Sequence, residues 1–208
     1  EDEQLAQPEA SIRLYGEILE LDPTRTGALA ALDVLYERLG RWSELADNVG
    51  RQLSLAEDEG RRIALMLKLA DLREARMGEL ESAIEIYREI LDGDTGCAPA
   101  IGALERLLAN ESQQIRIAEI LEPLYREANE FKKLIGLHEI QVRHSNSPDQ
   151  RVELLNRMAE LYEVALDDPQ GAFGCFARSL AEDPGNTTTQ DELARVAASS
   201  GAWRALAE

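Results

Sequence analysis

Apolar residues along this chain recur at the spacing of one helical face. Between residues 63 and 75, Ile63, Met66, Leu67 and Ala70 fall at i, i+3, i+4 and i+7, and the face turns polar at Glu74. Leu65, Leu69 and Leu72 make a second stripe roughly opposite, which suits a helix packed between two neighbours. A single stripe of Ala83, Ile84, Tyr87, Ile90 and Leu91 follows, and Val152, Leu155, Met158, Ala159 and Tyr162 repeat the pattern later. Asp22-Pro23, Ser147-Pro148, Asp168-Pro169 and Asp183-Pro184 mark turns, and Gly40, Gly78 and Gly201 lie just beyond helix ends. A lone hairpin cannot bury two stripes, so the pattern predicts hairpins stacked on one another.

Comparison of the chain with itself shows the repeat directly. IRLYGEILELDP (12–23) returns as IEIYREILDGDT (84–95), 72 residues on, and more loosely as FGCFARSLAEDP (173–184). A longer match at an offset of 89 pairs GALAALDVLYERLGRWSELA (27–46) with RIAEILEPLYREANEFKKLI (116–135). It continues from Arg62, Ala70, Ala83 and Tyr87 to Arg151, Ala159, Ala172 and Phe176. Gly40, Trp42, Leu45 and Ala46 recur as Gly201, Trp203, Leu206 and Ala207. The two offsets differ by 17 residues, room for one short additional helix, assigned to 97–110; a local irregularity is expected between about 95 and 115.

These residues resemble the tetratricopeptide repeat. Hairpin 26–59 carries the pattern through Leu29, Leu32, Tyr36, Gly40 and Trp42. Hairpin 63–95 carries Met66, Leu69, Ala70, Ala83 and Tyr87, and hairpin 152–184 carries Leu155, Met158, Ala159, Tyr162, Ala172, Phe176 and Pro184. Both of the latter have one residue more than the pattern, which is assigned to the turn. A fourth hairpin is expected at 113–145. The small residues Ala70, Ala83, Ala159 and Ala172 are placed where two helices approach closely. The two-hairpin unit also looks similar to long repeat arrays of high-GC bacteria. The resemblance implies an all-α, right-handed α-solenoid of about 11–12 helices, one array over 1–208, with residues 1–8 disordered and partial repeats at both ends. The helix at about 9–21 aligns with the second helix of a hairpin, and Trp203 begins another. The chain therefore reads as a segment of a longer array, prone to end-to-end self-association.

By register, the resemblance places a concave groove along the first helix of each hairpin. The groove candidates are Val34, Glu37 and Arg38; Asp71 and Glu74; Arg116, Glu119 and Arg126; Asn156, Glu160 and Glu163; and Asp191 and Arg195. Some members of the family grip acidic peptide tails with a Lys/Asn/Arg clamp. The corresponding positions here are Leu67, Asp71, Asn156 and Glu160, so the likeness does not extend to that clamp.

Composition sharpens the functional expectation. With 22 Lys plus Arg against 40 Asp plus Glu, the net charge is −18, a field that repels nucleic acid and anionic lipid and suits a basic or amphipathic protein partner. Apolar residues make up 44% but aromatics only 5%, and the apolar set is dominated by helix formers. No run approaches the roughly 20 apolar residues of a membrane span. Cys97 and Cys175 match no metal or redox spacing, which points to a reducing, cytoplasmic setting.

Three candidate chemistries fail on spacing. Asp92-Gly93-Asp94-Thr95-Gly96 begins like a calcium loop, but Cys97 and Ala103 stand where Gly and Glu are needed. His138-Glu139 lacks a second histidine at Val142. His138 and His144 do not share a helical face, and both are expected at the surface or its boundary. No phosphate loop, nucleophile elbow or Cys-His constellation occurs, and no cofactor is expected. The expected function is a non-catalytic scaffold or adaptor that holds a protein or peptide. The alternative is a structural spacer within a longer array.

Overall fold

The structure, a computed structural model, describes the backbone of residues 2–200 and the side chains of residues 7–198. Eleven α-helices and no strand are found among the described residues, joined by short turns. They are α1 (Asp2–Leu21), α2 (Thr26–Leu39), α3 (Trp42–Ser54), α4 (Glu59–Asp71), α5 (Leu80–Gly93), α6 (Ala98–Leu107), α7 (Gln114–Glu127), α8 (Phe131–His144), α9 (Pro148–Glu160), α10 (Pro169–Glu182) and α11 (Thr187–Ser200). Neighbouring helices pack in pairs as α2–α3, α4–α5, α7–α8 and α9–α10. Trp203 and its partial helix lie outside the described residues, as does Gly201.

The chain divides after Arg106 into two compact units, where the sequence suggests a single array. Their helices correspond at the offset of 89: α2 to α6 in the first unit match α7 to α11 in the second. The short helix expected at 97–110 is α6, and it is not an insertion, because α11 is its counterpart. Arg106 on α6 pairs with Glu74, and Arg195, 89 residues later on α11, pairs with Glu163 in the same way. The repeating unit therefore has five helices, and the odd helix belongs to it.

Helix ends follow local chemistry. Asp58, Ser147 and Asp168 cap α4, α9 and α10 by accepting hydrogen bonds from Arg61, Gln150 and Gly171 N–H groups. Pro148 and Pro169 occupy first-turn positions, where the missing N–H costs nothing. The turns inside the hairpins all pass through a left-handed residue: Gly40 and Gly78 in the first unit, and Asn129 and Asp167 at the equivalent places in the second. Asn129 and Asp167 carry no glycine signal, yet short polar side chains tolerate this conformation best after glycine.

The extra residue in hairpins 63–95 and 152–184 does not lengthen the turn. It is absorbed within the first helix, whose last turn widens to π-helix over Leu72–Met77 and again over Leu161–Ala165. Each widened turn closes with the same backbone bond, from Glu79 N–H to Arg73 O and from Asp168 N–H to Tyr162 O, both 2.8 Å. Placing the surplus inside the helix keeps the connection to the next helix unchanged.

In the first unit, Leu19, Ala28, Leu29 and Leu32 join α1 to α2 with Ile12, Tyr15 and Tyr36 around them, and Leu45, Val49, Leu65 and Leu72 join α3 to α4. In the second, Leu155, Met158, Ala159, Ala172, Cys175, Phe176, Leu193 and Val196 form one continuous cluster from α9 to α11. Ala70, Ala83, Ala159 and Ala172 are completely buried, as close helix crossings require. At the amino-terminal end, α1 begins at Asp2. Gln4-Leu5-Ala6-Gln7 are good helix formers, and Pro8 removes only one backbone donor.

Candidate functional site

Within the second unit, α7, α8 and α9 bound a cleft of about 890 Å³. Phe131 and Leu134 on α8 and Leu161, Val164 and Ala165 of the widened turn give it apolar walls, and Glu122, Arg126, His138, Arg157 and Glu160 supply the polar groups. Helical spacing explains the set. Glu122 and Arg126 are one turn apart on α7, Leu134 and His138 one turn apart on α8, and Arg157, Glu160 and Leu161 share a face of α9. The widened turn carries Val164 outward, 85% exposed.

His138 is the unusual member. It is 2% exposed, against the surface or boundary position expected from sequence, and neither ring nitrogen has a hydrogen-bond partner among the described residues. Its Nε2 lies 3.6 Å from Glu122 Oε1, beyond a proper hydrogen bond. The correction has a simple origin: His138 occupies the position of Val49, which is fully buried in the first unit. Burial holds its pKa below the ordinary histidine value, against the pull of Glu122, so the imidazole is neutral at pH 7.

Glu122 is largely buried. Desolvation disfavours its charge, but a 3.0 Å hydrogen bond from Gln141 and the nearby His138 and Arg126 outweigh that, and its pKa lies below the usual glutamate value. Arg126 donates to Glu122 at 2.5 Å, while Arg157 turns away to Glu153, also at 2.5 Å.

The equivalent place in the first unit is filled by the chain itself. Asp33, the counterpart of Glu122, accepts from Asn48 Nδ2 at 2.6 Å, Gln52 Nε2 at 2.9 Å and Lys68 Nζ at 2.8 Å. Arg76 lies over the Trp42 ring, 4.9 Å from its centroid. Gln52 and Gln141 hold the carboxylate in the same way in both units. Lys68 and Arg76 become Arg157 and Ala165, and the space they cover opens.

Of the groove residues expected from sequence, Arg126 and Glu160 come together at this cleft, and Glu163 joins Arg195 through two hydrogen bonds of 2.6 and 2.7 Å. Asn156 is half-buried with an unpartnered Oδ1 among the described residues. Glu119 and Asp191 are exposed and Arg116 half-buried, none of them lining the cleft. In the first unit Val34, Glu37, Arg38 and Asp71 are exposed, whereas Glu74 is half-buried and tied to the Tyr87 hydroxyl at 2.9 Å and to Arg106 at 3.3 Å. Glu122, His138, Phe131 and Leu134 escaped the sequence reading. The signal was present in the alignment at 89: an Asp-to-Glu and a Val-to-His exchange at positions that spacing marks as inward-facing.

Asp94 does not hold a cation loop. Its side chain accepts from the Gly96 N–H at 3.1 Å, as Asp22 does from Thr24 and Asp183 from Gly185 at the same distance, three copies of one inter-repeat turn. Among the described residues no group of three or more His, Cys, Asp or Glu is placed to hold a metal ion. Both cysteines are buried and unpaired, and burial pushes the Cys175 thiol up to about 11, so it is not a reactive thiolate. Among the described residues no helix is long and apolar enough to cross a membrane.

Residues 28–63, which span α2, α3 and the start of α4, match the family model of the tetratricopeptide repeat. That segment carries a tetratricopeptide repeat. Among solved structures, the chain is similar to BtubC from P. vanneervenii, at 16% identity and a TM-score of 0.37, with 96% of this chain and 84% of that one covered. It is also similar to the C-terminal part of a tetratricopeptide-repeat protein from Cytophaga hutchinsonii, at 14% identity and a TM-score of 0.39, covering 91% and 96%. A thermophilic protein of the family from Thermus thermophilus aligns at 17% identity and a TM-score of 0.31, covering 93% and 92%. No curated protein matches the sequence.

Proposed function

We propose that this protein is a non-catalytic scaffold that holds a segment of another protein in the cleft bounded by α7, α8 and α9. Tetratricopeptide repeats are generally protein-interaction scaffolds. One observation carries the choice of place: two equivalent positions exist, and the first unit fills its own with Lys68 and Arg76 while the second leaves an apolar-walled opening with an unpartnered histidine in its floor. Binding sites are typically of this kind, mostly apolar with a few convergent polar groups.

A photo-crosslinking residue at Val164, on the rim of the cleft, tests the reading. It should capture a discrete protein in cells, whereas the same residue at Val34, 66% exposed in the first unit, should capture little. Equal capture at both positions, or at Val34 alone, would rule the cleft out. A second reading, a spacer that stacks with further repeats, is favoured by the exposed stripe of Leu14, Ile18 and Leu21 along α1.

A further inference from the structure

We infer that the cleft of the second unit takes basic side chains of a partner protein, one lysine or arginine reaching Glu122 and a second lying over the Phe131 ring. This rests on the cleft being the docking site. The first unit shows what kind of group the place accommodates. There an ammonium group, Lys68 Nζ, stands 2.8 Å from Asp33 Oδ2, and a guanidinium, Arg76, covers the Trp42 ring at 4.9 Å. Both acceptors persist 89 residues on, the carboxylate as Glu122 and the aromatic ring as Phe131. The cations do not: Ala165 stands in place of Arg76, and Arg157, in place of Lys68, is engaged with Glu153.

The remaining lining agrees. Leu134, Leu161 and Val164 offer apolar wall to the methylene stems of lysine and arginine, whose charged ends then reach the polar groups. Gln141 keeps Glu122 ionised and oriented from behind, so the carboxylate faces a ligand already charged. Arg126 also holds Glu122, but its own side chain is 59% exposed and only one turn away on the same helix, so an incoming cation can take its place. Of the opposing charges at the rim, Arg157 is neutralised by Glu153 of its own helix, and Arg126 shares Glu122 with the incoming cation. Glu160 at the rim and the net charge of −18 add attraction at longer range.

The test uses three fluorescein-labelled amphipathic peptides that share their leucines and differ only in carrying Lys, Gln or Glu at every polar position. Anisotropy is measured with the full chain at near-physiological salt, and thermal melts confirm that each variant is folded. The Lys peptide should bind, and the Gln and Glu peptides should bind at least about tenfold more weakly. Glu122→Gln should weaken the Lys peptide by a similar factor. So should Ala165→Arg, which restores the guanidinium of the first unit. Glu20→Gln, an equal loss of charge at an exposed position elsewhere, should leave affinity within about twofold. If the Gln peptide binds as tightly as the Lys peptide and Ala165→Arg abolishes both, the cleft is the docking site but its preference for cations is wrong. If Glu122→Gln and Ala165→Arg leave the Lys peptide unaffected, its attraction is diffuse and both readings fall. Absence of binding by all three peptides also overturns the inference.

Discussion

Lys68 on α4 reaches back to Asp33 on α2, its ammonium 2.8 Å from a carboxylate that Asn48 and Gln52 also hold from α3. One acidic side chain thus ties three helices of the first unit together. Asp33 is 9% exposed, whereas the Lys68 side chain is 37% exposed, so the two partners are not equivalent. Asp33→Ala strands the buried Gln52 amide, leaves Asn48 with only the Leu29 carbonyl as acceptor, and should cost about 1–3 kcal/mol. Lys68→Met removes only a half-exposed charge and should cost under about 1 kcal/mol. Urea titration of the two variants checks the asymmetry, and equal losses would refute it.

Gly171 sits where α10 meets the widened turn of α9. A Cβ built there would stand 2.5 Å from Tyr162 Cδ1 and 2.8 Å from Asp168 Oδ2, the cap of the same helix. Gly171→Ala should therefore destabilise by about 1–3 kcal/mol through displaced packing. Gly174, three residues further along α10 with nothing within 4 Å of its own Cβ position, provides the contrast. Gly174→Ala should stabilise by about 0.5–1 kcal/mol, since alanine loses less backbone freedom in a helix. Thermal denaturation of both variants decides the matter.

His138 predicts a pH dependence. Its folded pKa is depressed by burial, so the unfolded chain binds the proton more readily. Stability should be constant above the unfolded histidine pKa, about 6.5, and fall as pH drops through that value. The charged groups facing it are Glu122 and Arg126 on α7 and Arg157 on α9. His138→Val, which installs the residue of the first unit, should flatten the profile over that range and raise stability at pH 6. Denaturant midpoints at several pH values provide the measurement, and an unchanged slope would exclude His138 as its source.

Much of the fold is legible in the sequence because its signals are local and repeated. The stripes through Met66 and Ala70 or Leu155 and Ala159, the proline starts and the paired offsets of 72 and 89 each act within a turn or between identical units. The widened turns at Leu72–Met77 and Leu161–Ala165 were not legible, since one surplus residue fits a loop or a helix equally well on paper. Backbone geometry decides that choice. Of the cleft's lining, register names Arg126 and Glu160 as groove candidates, but His138 looked like a surface residue by type. Only its equivalence to Val49 reveals that it is buried, and residue type weighs less than position in a packed helix.

The two widened turns also carry a record of how the chain arose. Each is a one-residue insertion at the same point of a hairpin, 89 residues apart, followed by the same closing bond and the same left-handed residue. A single ancestral hairpin that gained the residue once, and was then copied together with its neighbours, yields both. The exchanges that accompany the open cleft, Arg76 against Ala165 and Val49 against His138, distinguish the two units. The first unit keeps a self-sealed place and the second an open one, so two units of one plan differ in what they leave for solvent to reach.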